Sequence, residues 1–322
     1  MKKTLTTIAL SLTGLLVLAQ QDVQFSMNTF NRLAINPAYA GMNKALCATM
    51  LYRQQWTNFP GAPKTGLISV DYGQILHGGL GITACQDQLG AEKTFSTKVS
   101  YSYHLPLAGG TLGVGVDGGM IQKSISANFI APDGTTSATG GGLDQAIPWS
   151  GAKSTTYDVG FGLYYQTRRL YVGLSSLHLP EQQFSATGTV SKFNWDYKYR
   201  EARHYYVMAG YTFIPDPAWE ITPSILLKSV ASSSQLDANL MVKWNKMIFG
   251  GVSYRISDAI VAIIGLERPF SKKITAKFGY SYDMTTSNIK TQSSGSHEIM
   301  LGFCYKIKPD ASKTSHMNVR FL

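Results

Sequence analysis

The chain has 322 residues, a formal net charge of +10, 11% aromatic residues and only 15% charged residues. Soluble domains carry about 25% charged residues, and disordered chains combine high charge with few aromatic residues. Three cysteines are too few for a disulfide scaffold of this length. A helical membrane bundle would show several apolar spans of about 20 residues. A folded chain remains, of a size to form one large β domain or two small ones.

Residues 1–19 have the pattern of an export signal. Lys2 and Lys3 precede a short apolar run, and small residues lead up to a cleavage site after Ala19. An uncleaved membrane anchor is the alternative, but the apolar run is too short to cross a bilayer comfortably. We therefore expect a signal peptide over 1–19 and an exported mature chain.

Beyond residue 43, apolar or aromatic residues recur at every second position. In 274–282, for example, Ile274 and Phe278 share one face, whereas Lys277 and Ser281 share the other. A period of two predicts β-strands. The stretches match the roughly 9 to 11 residues of an outer-membrane strand better than the 5 or 6 of a soluble one. Small polar residues on one face suit a water-filled lumen, and aromatic residues gather at stretch ends, as in membrane-interface girdles.

The pattern predicts about 14 strands, and single-chain bacterial barrels have an even number. Short turns follow the even-numbered strands, whereas two long connections, 125–154 and 179–202, follow odd-numbered ones. This polarity is typical of outer-membrane barrels, with periplasmic turns and extracellular loops. The predicted strands are 44–54, 64–73, 78–87, 93–104, 111–124, 155–167, 169–178, 203–213, 219–229, 235–245, 247–255, 259–268, 274–284 and 296–305.

We therefore expect an all-β chain that forms a transmembrane antiparallel up-and-down β-barrel in the outer membrane. The barrel would span 44–305. Residues 20–43 would form a periplasmic N-terminal segment or a plug, and 306–322 a C-terminal periplasmic tail. Whether the lumen is open or plugged is not decided by the pattern.

The two long connections differ in composition. The segment 125–154 is rich in Gly, Ser, Thr and Ala, which is typical of a flexible surface loop. The segment 179–202 is aromatic and basic, and it can be a surface that binds cargo or a loop folded into the barrel mouth. Its candidate cargo-binding residues are Phe184, Phe193, Trp195, Tyr197 and Tyr199.

No sequence pattern predicts catalysis, a cofactor or a metal site. The run Gly113 to Gly118 matches G-x-G-x-x-G, but it lies within an alternating strand rather than before a helix. Small residues on a crowded face are the plainer explanation. Basic residues are spread rather than gathered in a stripe, which argues against nucleic acid and suits anionic lipopolysaccharide or an acidic partner. We therefore expect no enzyme.

The cysteines allow one disulfide within the chain. In a closed barrel of 14 strands, Cys47 and Cys304 lie on neighbouring strands and both face inward near the periplasmic end. Whether they bond depends on the strand register, which the sequence does not establish.

Three motifs surround the first predicted strand. Taken alone, they predict a plug or strand lead-in, a girdle at the end of the strand, and a hairpin turn. They comprise Asn36, Pro37, Ala38, Tyr39, Ala40 and Gly41, then Tyr52, Arg53, Gln54, Gln55 and Trp56, then Phe59, Gly61 and Pro63.

Together with the blocks 279–283, 296–299 and 320–321, these motifs resemble the PorP/SprF family of Bacteroidetes outer-membrane proteins. The resemblance extends over essentially the whole mature chain, although the long glycine-rich segment 125–154 departs from it. It implies a non-enzymatic barrel of the type IX secretion system. Ring and motor proteins of the periplasm would be its partners, together with secreted cargo such as an adhesin, including in gliding motility. The barrel pattern alone also suits a porin-like or lipid transport barrel.

Overall fold

The computed structural model describes residues 22–126, 152–190, 193–230 and 233–306. Fourteen antiparallel strands close into one barrel, as predicted. The barrel strands are β1 (Ala45–Gln54), β2 (Lys64–Ile75), β3 (Gly78–Leu89), β4 (Glu92–Leu107), β5 (Gly110–Ile125), β6 (Ala152–Gln166), β7 (Leu170–Leu177), β10 (His204–Tyr211), β12 (Trp219–Val230), β13 (Ser233–Trp244), β14 (Ile248–Arg255), β15 (Ala259–Pro269), β16 (Ile274–Thr285) and β17 (Ser296–Lys306).

Three short strands complete the sheets. β8 (Gln183–Val190) and β9 (Phe193–Arg200) pair with each other, and β11 (Phe213–Asp216) pairs with β12. Each predicted strand overlaps one barrel strand, because alternation is a local property that the sequence displays directly.

Alternation separates the two faces of the barrel wall. Outward residues such as Val99, Ile264 and Leu301 are large, apolar and exposed, whereas inward residues such as Ser102 and Asp117 are polar and buried. Exposed apolar side chains in this number are costly in water, so the outer face suits contact with lipid.

In the described part of the chain, no helix is both long and apolar enough to cross a membrane.

The two ends of the barrel are built differently. We call one the turn end, where β1 starts and β17 ends and where two to four residues join successive strands, as at 76–77 and 270–273. The other is the loop end, which carries the connections 55–63 and 286–295. The latter includes a short 3-10 helix, Asn288–Thr291.

The first and last strands seal the barrel. β1 pairs with β17 from Ala45 opposite Lys306 to Gln54 opposite His297. This register places Cys47 directly opposite Cys304, and the two form a disulfide close to the turn end. The register that the sequence left open is therefore one that permits the bond. Cys85 has a free thiol.

Residues 22–44, which we call the plug, lie inside the barrel. They include the one-turn helix α1 (Arg32–Ile35) and a 3-10 helix over Pro37–Tyr39. Within the plug, Met27 and Ala38 are completely buried. The polar inner face therefore meets protein over much of its area, where the sequence pattern suggested water.

The connection between β7 and β10 is not simply a loop. The sequence treated 179–202 as one irregular segment, but β8 and β9 form a hairpin at the loop end, with β8 against β6. Pairing within the hairpin satisfies backbone groups that an irregular segment would leave to water.

Candidate functional site

The plug is fastened to the barrel wall at three places. The first centres on Asn36, whose completely buried amide stabilises the turn that follows it. Its Oδ1 accepts a hydrogen bond from the Ala38 amide at 2.9 Å, and its Nδ2 donates to the carbonyls of Leu163 at 3.0 Å and Leu174 at 3.2 Å. Pro37 begins the 3-10 helix, where its fixed φ is already suitable. One side chain thus caps the turn and ties it to β6 and β7.

The barrel wall facing this turn is lined with glycine. A Cβ added to Gly115 would lie 2.3 Å from the Ala38 nitrogen, and one added to Gly162 would lie 2.1 Å from Asn36 Oδ1. Gly113 is equally tight, at 2.4 Å from the Ala38 oxygen. Any side chain at these positions would displace the plug. The glycines of β5 and β6 thus form a cradle for the plug backbone, which agrees with a crowded face rather than a nucleotide site.

Where the plug runs into β1, backbone meets backbone. Gly41 adopts a φ of +71°, and its amide donates to Asp71 Oδ2 at 3.1 Å. A Cβ on Gly73 would lie 2.5 Å from the Gly41 oxygen, and one on Gly79 would lie 2.4 Å from the Ala40 oxygen. Tyr39 packs its ring edge-on against Tyr164. The whole Asn36–Gly41 motif is therefore a packing element of the plug.

The second fastening is a buried charge cluster near the loop end. Arg53 lies 2.7 Å from Asp283 and 3.1 Å from Glu298, and its Nη1 donates to Ser26 Oγ at 2.8 Å. Arg255 lies 3.0 Å from Asp283. We call these five residues the arginine cluster. A buried charge is costly unless it is paired, and here each charge has a partner of opposite sign.

The arginine cluster holds the plug through Ser26. Glu298 accepts the backbone amides of Ser26 at 2.8 Å and Met27 at 2.9 Å, and the Ser26 hydroxyl donates to Asp283. Strand register creates this arrangement, because Arg53 of β1 stands directly opposite Glu298 of β17. These motifs stand far apart in the sequence, and their meeting in the barrel was not predicted. Charged residues at inward positions of four strands, β1, β14, β16 and β17, were the available signal.

The other residues of the second motif surround the end of β1. Gln55 is buried and donates to Gln24 Oε1 at 3.3 Å, which adds a further plug contact. Tyr52 is half exposed on the outer wall. The Trp56 amide donates to Ser296 Oγ at 3.1 Å, and Gln54 ends the strand.

The third motif forms the β1–β2 connection, as the turn chemistry predicts. The Gln55 amide donates to the Pro63 carbonyl at 3.0 Å, and the Gly90 amide donates to the Gly61 carbonyl at 2.9 Å. Gly61 has a φ of +75°, and Phe59 is exposed. These residues build the loop end and do not touch the plug in the described contacts.

The third fastening lies at Asp22, the first described residue of the plug. Tyr206 donates to its Oδ2 at 2.8 Å, its amide donates to His204 Nε2 at 2.9 Å, and Lys228 donates to its carbonyl. His178 lies 3.5 Å from Asp22 and 3.0 Å from Asp158. These contacts join the plug to four neighbouring positions of the wall near the loop end.

Charge defines this third fastening. Burial favours a higher pKa for Asp22, but the contacts with His178, His204 and Lys228 hold that pKa well below its usual range. Burial and Lys98 lower the pKa of His178, yet the two carboxylates beside it raise that pKa to about 9. The pair is therefore ionised at neutral pH, with His178 as the cation.

The hairpin places two of the predicted cargo residues inward. Phe184 is completely buried and packs its ring against Tyr199 at 5.8 Å, and Lys123 Nζ lies 4.3 Å from the Tyr199 ring centre. Both rings thus pack at the barrel mouth, one of the two arrangements considered for this segment. The side chains of Phe193, Trp195 and Tyr197 lie outside the described part of the structure, although their backbone belongs to β9.

Within the described residues, no group of three or more His, Cys, Asp or Glu side chains is arranged to hold a metal ion.

Solved structures of a channel, a transporter and a translocator domain match this chain. The CymD monoaromatic hydrocarbon channel matches with a TM-score of 0.51 at 12% identity, covering 86% of this chain and 92% of that chain. The Pseudomonas putida toluene transporter TodX matches with a TM-score of 0.49 at 10% identity, covering 90% and 96%. The autotransporter NalP translocator domain from Neisseria meningitidis matches at 0.43 and 13%, covering 87% and 95%.

At these identities, the CymD likeness shows the fold alone. No curated relative matches this chain. A family model described as type IX secretion system membrane protein PorP/SprF matches residues 17–303, which include the plug motif, the arginine cluster and all 14 barrel strands except the last three residues of β17. The chain therefore belongs to the PorP/SprF family of type IX secretion system membrane proteins.

Proposed function

We propose that this protein is a non-enzymatic outer-membrane anchor of the type IX secretion system. It links periplasmic ring or motor components to the export or surface attachment of secreted cargo, such as adhesins. The plug carries this proposal: a lumen filled by residues 22–44 and fastened at three places does not serve as a wide conduit for secreted protein. A stable barrel with two differently built ends suits a bridge.

The difference between the ends supports an orientation. Short turns and both barrel termini share the turn end, which in outer-membrane barrels faces the periplasm. The turn end would therefore meet the ring or motor, together with residues 306–322. The loop end, with the β8–β9 hairpin, would face outward to cargo and lipopolysaccharide.

The family motifs contribute to this function indirectly. Asn36, Arg53 and the glycine cradle hold the plug, so they would keep the barrel closed and rigid rather than contact a partner. The cargo contact would instead fall on the hairpin, through Trp195 and its neighbours in β9.

Affinity purification tests the proposal. The tagged protein is isolated from outer membranes of its own host after mild crosslinking, and the eluate is analysed by mass spectrometry. We expect periplasmic ring proteins or a large secreted protein. A barrel that is reproducibly free of partners and conducts ions in planar bilayers would instead favour a porin-like or lipid transport function.

A matched pair of variants tests the two ends. Deletion of 184–199 should spare membrane insertion and reduce retention of cargo at the surface. Substitution of the turn residues Arg168 and Arg169 by glutamine should leave cargo retention intact and weaken recovery of periplasmic proteins. A hairpin deletion that retains every cargo would remove the hairpin from the proposal.

A further inference from the structure

A cavity of about 320 Å³ lies at the turn end, between the plug and the barrel wall. Plug residues Arg32 and Tyr39 line its inner side, and Arg168 and Arg169 of the β6–β7 turn line its mouth. Because residues of the β6–β7 turn border it, the cavity reaches the turn end of the barrel. Its volume falls within the roughly 300 to 1,000 Å³ of ligand pockets.

Arg32 is the notable residue of this cavity. Its guanidinium stacks 3.8 Å above the Tyr171 ring centre, and its Nη1 donates to the Tyr164 hydroxyl at 2.7 Å. Its Nε is buried without a hydrogen-bond partner, and no carboxylate pairs with Arg32 among the described residues. Arg32 is partly buried, and its buried Nε has no acceptor, so an anion in the cavity would supply the counter-charge that this guanidinium lacks.

The neighbouring acidic side chains do not pair with Arg32. Lys243 and Lys277 also line the cavity, but Glu267 pairs with both, at 2.9 and 3.4 Å. Asp71 already accepts the Gly41 amide. Arg168 and Arg169 add two cations at the mouth, against Glu220. The cavity therefore has an excess of positive charge, with one unpaired cation in its interior.

The rest of the wall identifies the ligand further. Phe30 and Phe249 pack with their ring centres 4.9 Å apart and give the cavity an apolar side. Among the side chains of residues 307–322, Lys308, Lys313 and Arg320 outnumber the single acidic residue Asp310, so these side chains offer few carboxylates as ligands. The complementary ligand carries a carboxylate next to an apolar group.

We propose that the turn-end cavity binds an acidic peptide segment of another protein, with one carboxylate paired to Arg32 and further acidic groups at Arg168 and Arg169. One unpaired interior cation matches a singly charged carboxylate better than a phosphate dianion, and a guanidinium binds carboxylate in bidentate geometry. That the peptide belongs to a periplasmic component of the secretion machine rests on the proposed function. The carboxylate site itself does not.

Peptide binding to the purified full-length protein in detergent tests this site. The probe is a fluorescein-labelled, amidated peptide with two glutamates flanking a phenylalanine, read by anisotropy at low salt. The matched control peptide carries glutamines. We expect saturable binding of the glutamate peptide that weakens with salt, and at least tenfold weaker binding of the glutamine peptide. Equal binding of the two peptides would overturn the proposal.

Variants locate the site. We expect Arg32→Gln to weaken binding about tenfold or more, and Arg168→Gln with Arg169→Gln to weaken it severalfold. Arg200→Gln, at the exposed loop end, should change nothing. Heat-modifiable migration on gels confirms that each variant is folded. If Arg32→Gln does not fold, the binding measured for the variant at Arg168 and Arg169 tests the proposal. Wild-type affinity in the folded Arg32 or mouth variants would overturn the proposal.

Competitors separate the sources of the anion. Free glutarate should displace the peptide weakly, and inorganic phosphate should do so less well than glutarate. If phosphate displaces the peptide better than glutarate does, the cavity is an oxyanion site rather than a peptide site, and the proposal is refuted. Peptide binding without periplasmic partners in the purification would leave this site standing and remove only the proposed function.

Discussion

Arg53→Met is the most informative change in the arginine cluster. It removes a buried cation that contacts Asp283 at 2.7 Å, Glu298 at 3.1 Å and Ser26 at 2.8 Å. Asp283 keeps Arg255 as a partner at 3.0 Å, so most of the damage falls on Glu298. Because Glu298 also holds the plug backbone at 26 and 27, we expect the plug to loosen while the barrel remains intact.

The size of the effect follows from burial. Breaking a buried ion pair from one side costs about 3 to 5 kcal/mol, because an uncompensated charge is left behind. Arg255 offsets part of this at Asp283, so about 3 kcal/mol is a reasonable value for the retention of the plug. Such a loss corresponds to a roughly 100-fold rise in the released population.

Limited proteolysis and planar-bilayer conductance measure this release. We expect faster cleavage within 22–44 and larger or more frequent current steps for Arg53→Met than for wild type. The double variant Arg53→Met with Glu298→Gln should be milder, since it also removes the stranded charge. Arg200→Gln is the exposed control. Wild-type cleavage and conductance in folded Arg53→Met would refute the assignment of the arginine cluster as a fastening of the plug.

Three further changes probe the other fastenings. Gly115→Ala should displace the plug around Asn36 and speed proteolysis there, because its Cβ would lie 2.3 Å from backbone, whereas Gly118→Ala should not, since its Cβ meets nothing within 4 Å. Asn36→Ala removes three hydrogen bonds and should lower plug retention by about 3 kcal/mol, measured by amide hydrogen exchange. The pKa of His178 is raised to about 9, so its stabilisation of the plug is complete below about pH 6.5 and is lost as the pH rises through 9. Amide hydrogen exchange at 22–26 should therefore accelerate above pH 7 by more than it does in an unstructured peptide. His178→Gln should remove this extra acceleration, and an unchanged acceleration in that variant would contradict the role of His178 in holding the plug.

The barrel could be predicted from the sequence because its signals are local. Alternation, stretch length and the polarity of short and long connections are visible without any knowledge of contacts, and each predicted strand has its counterpart. The hairpin at 183–200 was missed because its length suggested a loop. The hairpin contributes no strand to the barrel wall, so the predicted count of 14 barrel strands did not depend on it.

The fastenings of the plug could be predicted only in part. The Asn36–Gly41 motif was visible, but its partners Gly115 and Gly162 lie in strands that follow much later in the chain. The same holds for Arg53 and Glu298, which are 245 residues apart. A motif shows that a position is special, whereas strand register decides which two special positions meet.

The nature of the three fastenings sets the order in which the plug can leave the lumen. The glycine cradle at the turn end depends on close packing, which neither salt nor pH alters directly. The contacts of Asp22 and Ser26 near the loop end depend on charge, so solution conditions act there first. Lys44 is followed at once by β1, which keeps the plug tied to the wall at the turn end. Release of the plug must therefore begin at Asp22 and proceed toward Asn36, so a variant that weakens only the cradle should leave exchange at Asp22 slow.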